Sequence, residues 1–253
     1  MILEYHRPES LEEALKLLNR KTPRTVPLGG GTVLSAPSDE SVAVVDLQAL
    51  GLNQIEKQGN GLKIGATATL QALLDTEGLP AALVAAIRHE AAYNLRQSAT
   101  VAGALAASDG RSPFAVAMLA LDAQLLWQPG DKTQSLGDFL PLRAEAPGKL
   151  ITTITIPINA RLAYEYVART PADLPIAAVA VAQWPSGRTR MGLGGWGKTA
   201  FVALDGQDAT GLPIAAENAA LSAADEWASA EYRMDVVKTL ATRALAGLKM
   251  EEK

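Results

Sequence analysis

Thr25-Val-Pro-Leu-Gly-Gly-Gly-Thr-Val-Leu34 is the stretch on which the fold turns. A brief β-rich run, Thr25 to Leu28, passes straight into three glycines. Glycines leave backbone N–H groups uncovered, and a turn of such groups makes a concave site for phosphate oxygens. The Thr32 hydroxyl adds a donor. The spacing fits neither a Walker loop nor G-x-G-x-x-G followed by a helix. A glycine triplet after a strand also serves as a plain turn needing φ > 0. Taken alone, the stretch leaves both readings open.

Upstream, Ser10 and Glu13 form a capping box, and Leu11, Ala14, Leu15, Leu17 and Leu18 give one apolar helical face. A basic turn, Arg20-Lys-Thr-Pro-Arg24, joins that helix to the strand. Downstream, Val42 to Leu47 reads as a second strand. These pieces make a helix-and-strand unit of about fifty residues, small even for a subdomain.

A second section begins at Leu62-Lys-Ile-Gly-Ala66. Thr69 starts a helix containing Leu70, Leu73 and Leu74, and Pro80 to Tyr93 forms another, rich in alanine. Arg96 to Gly103 is a small-residue segment suited to close backbone approach. Ser112-Pro113 opens a helix through Leu121, with proline at the first helical position, and Asp122 to Trp127 returns as a strand. In the third section Leu150 to Ile156 alternates and is rich in β-branched residues. Tyr164–Val167, Ile176–Gln183, Arg188–Gly192 and Phe201–Leu204 supply further strands, and a helix from Ser229 to Leu248 closes the chain. Strands in succession followed by helices predict an α+β layer there, not a βαβ sheet.

The composition excludes several kinds of chemistry. There is no cysteine, so no disulfide, thiolate nucleophile or cysteine-ligated iron–sulfur cluster can form. His6 and His89 are the only histidines, which leaves no material for a histidine-rich metal site or a histidine-dependent triad. No catalytic residue and no metal ligand is predicted. The net charge of −4 comes without any Lys/Arg run, which argues against nucleic acid. The opening Met1-Ile-Leu-Glu-Tyr-His lacks the pattern of a signal peptide, and apolar stretches break well short of a bilayer span. A cytoplasmic location is expected.

Beside the glycine loop, Thr100-Val-Ala-Gly-Ala104 offers a hydroxyl and several amides as a second phosphate-facing strip. Its plainer reading is a tightly packed strand or loop. Gly192-Leu-Gly-Gly-Trp-Gly197 is expected to supply a bend, with Trp196 as a packing anchor. His89 is expected to be structural. Glu12-Glu13 and Asp39-Glu40 read as cap and loop carboxylates, and neither Ser35 nor Ser108 lies in G-x-S-x-G.

Taken together, these segments resemble the flavin-binding middle subunit of molybdenum hydroxylases of the xanthine dehydrogenase and carbon monoxide dehydrogenase type. Tyr-x-x-Pro-x-Ser-Leu-x-Glu-Ala-Leu (Tyr5 to Leu15) is similar to that family's first helix. Leu28-Gly-Gly-Gly-Thr-Val-Leu34 is similar to its first pyrophosphate loop, A-G-G-[HQ]-S-L. Val45-Asp-Leu47 and Leu62-Lys-Ile-Gly-Ala-x-x-Thr-x-x-x-Leu73 follow in order. Leu95-Arg96 with Ala99-Thr-Val-Ala-Gly103 resembles V-R-N…T-I-G-G-N, and Ala228-Ser-Ala-x-Tyr-Arg-Met234 with Arg243-Ala-Leu245 resembles the closing helix.

The resemblance implies two N-terminal α/β subdomains, residues 1–55 and 56–148, forming an FAD cleft. A C-terminal α+β domain with an antiparallel sheet and helices, residues 149–253, would follow. It implies an FAD-dependent oxidoreductase subunit that takes electrons from iron–sulfur clusters of a partner subunit. Those electrons pass to NAD or another acceptor, within a hetero-oligomer that also holds a molybdopterin subunit. The FAD-binding residues it implies are Leu28, Gly29, Gly30, Gly31, Thr32, Val33, Leu34, Thr100, Val101, Gly103 and Ala104, with Ile151 and Tyr166 toward the isoalloxazine. The missing cysteines agree with clusters held elsewhere.

Four departures stand against the match. Ala104 replaces an asparagine, Pro113 replaces an aspartate in P-x-x-D with Asp109 at a different offset, Tyr166 replaces a lysine, and Gly31 replaces His or Gln. They leave open a second reading, a non-catalytic subunit or assembly factor that keeps the fold but has lost tight FAD binding. On the flavoprotein reading, a side chain at Gly29 or Gly30 should cost affinity far more than stability. Restoring Asn at 104 and Asp at 113 should tighten binding.

Overall fold

The structure, a computed structural model, describes residues 1–145 and 148–250. The chain opens with β1 (Ile2–His6), α1 (Leu11–Leu18), β2 (Thr25–Leu28) and β3 (Val42–Asp46). Next come β4 (Ile55–Gln58), β5 (Gly61–Gly65), α2 (Leu70–Leu74), α3 (Ala81–Glu90), α4 (Tyr93–Arg96), α5 (Val101–Ala107) and α6 (Pro113–Ala120). β6 (Gln124–Gln128), β7 (Lys132–Ser135), α7 (Leu136–Leu142) and β8 (Leu150–Pro157) follow. The last part holds β9 (Arg161–Val167), β10 (Ala177–Gln183), β11 (Thr189–Gly194), β12 (Phe201–Gly206), α8 (Leu212–Ala219) and α9 (Ala230–Met250). The mixed α+β class read from the sequence is the class observed.

These elements fall into two compact units, each assembled from separated stretches of chain. The first takes Met1–Thr76, Tyr93–Ala107 and Gln124–Thr155; the second takes Glu77–Ala92, Ser108–Ala123 and the chain from Ile156 onward.

In the first unit, β3 is the centre of a parallel sheet ordered β1-β3-β2. Val42 to Asp46 is buried at every position, and Val42 to Val45 is the continuous apolar run that a central parallel strand requires. β1 sits at the edge with Ile2, Leu3 and Tyr5 exposed, which is why no alternation marks it in the sequence. Ser10 caps α1 by accepting from the Glu13 amide at 3.3 Å. The apolar face of that helix packs Ala14 and Leu18 against Val45, Leu47 and Leu150. A five-stranded sheet ordered β4-β5-β8-β6-β7 completes the unit. Its β6–β8 pairing is antiparallel and slips register between Leu126 and Trp127.

The second unit is built on an antiparallel sheet, β12-β11-β10-β9. Ala177, Val179 and Val181 of β10 and Met191 and Leu193 of β11 face one core with α8 and α9. α6 packs on the intervening positions and is buried along its whole length, as an all-apolar helix must be. Gly192 and Gly194 make that packing possible. A Cβ at Gly192 would stand 2.5 Å from the Val116 carbonyl oxygen, and one at Gly194 would stand 2.6 Å from the Val116 side chain. The glycine cluster expected to form a bend therefore lies partly within a strand, and the left-handed φ appears only at Gly195 and Gly197.

Two polar groups, one fully buried and one half-buried, anchor this unit. Arg233 is fully buried and donates to the carbonyls of Ile176 (3.0 Å), Ala223 and Gly195 (3.3 Å) and to the Asp225 carboxylate (2.9 Å). Glu90 accepts from the Ser112 hydroxyl at 2.7 Å and the Phe114 amide at 3.1 Å, at the start of α6. Burial pushes its carboxyl above the usual range, against the opposing pull of those two hydrogen bonds. Pro113 is the first residue of α6 and is itself buried there.

Candidate functional site

A cleft of about 1020 Å³ lies wholly within the first unit. That is the upper end of the range for sites enclosing a sizeable organic ligand, roughly 300–1,000 Å³. The loop after β2 forms one wall, with Gly29, Gly30, Gly31, Thr32, Val33 and Leu34 all on the cleft. β2 itself runs parallel to β3, and the Leu47 amide donates to the Leu28 carbonyl at 3.1 Å, holding the strand end in place. Gly31 takes the left-handed region at φ 71°. The Ser35 amide donates to the Gly31 carbonyl at 3.0 Å, closing the turn behind it.

No group among the described residues accepts from the amides of Gly30, Gly31, Thr32, Val33 or Leu34. Successive amides with no internal acceptor, around a glycine in the left-handed region, are the ingredients of an anion-binding nest.

Gly29 and Gly30 have a different role. A Cβ on Gly29 would stand 2.5 Å from the Thr100 hydroxyl oxygen, and one on Gly30 would stand 2.5 Å from the Ser98 carbonyl carbon. These glycines are required first by the close approach of the 98–100 segment. This overturns the view that side chains there would touch mainly affinity.

That neighbouring segment supplies the second wall. Thr100 to Ala104, in its plainer reading a packed strand or loop, is instead the start of α5, with Thr100 as its cap. The Thr100 hydroxyl accepts from the Gly103 amide at 3.2 Å. The Val101 and Ala102 amides donate to the carbonyls of Ala68 (2.8 Å) and Ala66 (3.3 Å), and the Ala104 amide to Thr100 (2.8 Å). The strip therefore meets the cleft through Thr100, Ala102, Gly103, Ala106 and Ala107, with its first amides already engaged inside the chain. Thr-x-x-Gly with a hydroxyl at the cap was the overlooked helix signal.

Of the other candidates, Ile151 lines the cleft, whereas Leu28, Val101 and Ala104 do not. Val101 is fully buried. Tyr166 belongs to β9 of the second unit, where its ring stacks on Tyr164 at 5.5 Å and approaches His89 at 4.2 Å. His89 is saturated: its Nε2 lies 2.8 Å from the Asp173 carbonyl, and its Nδ1 lies 3.1 Å from the Tyr164 hydroxyl. A carbonyl only accepts, so Nε2 carries the proton and Nδ1 accepts from the tyrosine.

Sequence reasoning missed the charge and the aromatic pair of the cleft. Arg20, Lys21 and Arg24 of the basic turn line it, together with Arg143 and Lys149, and the lining holds no described carboxylate. Arg20 is held by Glu4 at 2.7 Å and by Thr25 at 2.9 Å, and Arg24 pairs with Glu40. The position of the basic turn, directly upstream of the glycines, was the available signal. Trp127 and Phe139 also line the cleft, with ring centroids 5.0 Å apart. The Trp127 Nε1 donor is buried and has no hydrogen-bond partner among the described residues. Unbonded amides, an orphaned indole N–H and a lining with cations and no described carboxylate fit a ligand that joins phosphates to aromatic rings.

Among the described residues no helix is long and apolar enough to cross a membrane. Residues 1–159 match a family described as the FAD binding domain in molybdopterin dehydrogenase. The protein YgfM of Escherichia coli K12 is 33% identical over 199 residues, covering 77% of this chain and 75% of its own. The carbon monoxide dehydrogenase medium chain of Afipia carboxidovorans is 31% identical over 201 residues, covering 73% and 69%. A chain in the structure of reconstituted CO dehydrogenase from Oligotropha carboxidovorans matches with a TM-score of 0.78 at 28% identity, over 96% of each chain.

Proposed function

This chain belongs to the family of the FAD binding domain in molybdopterin dehydrogenase, and we propose that it is the FAD-carrying electron-transfer subunit of a molybdenum hydroxylase-type oxidoreductase. FAD is its cofactor. The bound flavin supplies the redox chemistry, and this chain's residues bind and orient it. The amides of Gly30 to Leu34, with the Thr32 hydroxyl, hold the diphosphate. Thr100, Gly103 and Ile151 complete the wall around it. The cations of the lining, Lys21 and Lys149 among them, raise the local concentration of a polyanion and offset its charge. Electrons arrive from iron–sulfur clusters in a partner subunit and leave to NAD or another acceptor. A molybdopterin subunit completes the assembly, and the complex works in the cytoplasm.

The observation that carries this reading is the run of unbonded amides at Gly30–Leu34 in a cleft lined by cations and by no described carboxylate. The test is to incubate the purified protein with FAD, desalt it and record the visible spectrum. Flavin absorption at about one FAD per chain is expected. A protein that stays colourless after repeated loading refutes the proposal and returns the non-catalytic reading.

A further inference from the structure

The mechanism above leaves one group of the cleft unused. Trp127 is only 7% exposed, and its Nε1 has no hydrogen-bond partner among the described residues. A buried donor without an acceptor is destabilising, so its presence calls for a reason. The residue stands where β6 slips register against β8, between Leu126 and Trp127. Such bulges re-aim side chains and occur beside functional sites. Here the unpaired residue is Thr152 of β8, next to the Trp127–Ile151 pair, and Trp127 lines the cleft with its ring tilted 59° to that of Phe139. The neighbours of Trp127 on the lining are apolar: Phe139, Leu150 and Ile151, at 4%, 3% and 6% exposure. An aromatic ring with acceptor atoms at its edge is the chemistry that such a place takes.

FAD brings two ring systems. The isoalloxazine must be reached by a donor and an acceptor of electrons, whereas the adenosine has no redox role and can be enclosed. Building on the FAD reading, we propose that Trp127 is a specificity-determining residue. Its indole N–H donates to a ring nitrogen or ribose oxygen of the adenosine half, so that this chain selects FAD over FMN. Ile151, which pairs with Trp127 across β6 and β8, then sits beside the adenosine and not beside the isoalloxazine.

Nitrogen-15 NMR of the indole N–H groups tests this, with ADP and FMN as separate probes. The chain has four tryptophans, so the Trp127 signal is assigned by its loss in Trp127→Phe. Should that variant fail to fold, Trp184→Phe, Trp196→Phe and Trp227→Phe assign it by elimination. ADP should move the Trp127 signal and FMN should leave it in place. Trp127→Phe should weaken ADP and FAD binding about two- to tenfold, the value of one hydrogen bond, with FMN unchanged. A signal that moves with FMN as much as with ADP, or with neither, overturns the proposal, as does a folded Trp127→Phe that binds ADP and FAD like the wild type. If ADP moves the signal but FAD never colours the protein, the cofactor reading falls and the adenosine site stands.

Discussion

Replacing Gly30 by alanine should damage the fold before it damages binding. The added Cβ would stand 2.5 Å from the Ser98 carbonyl carbon and 3.2 Å from the Ala99 nitrogen, with the Ser98 oxygen nearer still. All of these are backbone atoms, and no flexible side chain can yield. Ordinary contact begins at 3.4 Å, so the two segments must part by about 1 Å or more. The 98–100 segment is not free to move, because the Ala99 carbonyl accepts from Leu70 at 2.8 Å and the Ala99 amide donates to Leu95 at 2.7 Å. Overpacking of this kind costs about 1–3 kcal/mol, and rigid surroundings place it at the upper end. For a chain of this size that lowers the melting temperature by about 6–12 °C. Gly31→Ala is the control: its Cβ meets only Leu28 Cδ1 at 3.5 Å, leaving the left-handed φ as the cost, about 1–2 kcal/mol. Thermal melts followed by circular dichroism, without FAD, give the comparison. A Gly30→Ala variant that melts no lower than Gly31→Ala would refute the close-approach argument.

Arg233→Met should cost about 3–5 kcal/mol in urea unfolding, because it strands three carbonyls and the Asp225 carboxylate. Arg233→Lys should recover only part of that, since an ammonium cannot fork between them. Glu90 binds its proton more tightly folded than unfolded, so stability falls as the pH rises from about 4.3 through its raised folded value. Glu90→Gln should flatten that part of a stability-against-pH curve. Ala104→Asn with Pro113→Asp, the pair expected from the resemblance to tighten FAD, should give no gain in a calorimetric titration. Ala104 does not line the cleft, and an aspartate at 113 would be buried at the helix end that Glu90 already occupies, lowering the melting temperature.

Where the sequence was legible, local chemistry and tertiary demand agreed. Ser10, Thr69 and Ser112 each cap a helix at the position their side chains announce. The alternation in Leu150–Ile156 and the unbroken apolar run of Val42–Val45 fixed two strands through burial. The strand at Ile2–His6 was missed because an exposed edge leaves no periodic mark. α5 was missed because its small residues suit a helix, a loop and a strand alike. Only the carbonyls of Ala66 and Ala68, more than thirty positions upstream, decide among these. The cleft was half legible. Glycines in a row advertise a turn, but whether they serve a ligand or a neighbouring backbone depends on what packs behind them. Trp127 was invisible as a site residue, since a buried tryptophan is ordinary and only its lack of an acceptor is not.

The interleaving of the two units restricts how this chain can be made and cut. The family match ends at residue 159, yet within it Glu77–Ala92 and Ser108–Ala123 belong to the second unit. A polypeptide ending there, whether by truncation or by a ribosome paused midway, carries α6 without β10 and β11. The side of α6 that packs on β10 and β11 would then meet water, while α3 still covers another side. Such a surface invites self-association. The amino-terminal match is thus a unit of ancestry and not of folding: during synthesis, α6 must wait for strands that emerge more than fifty residues later.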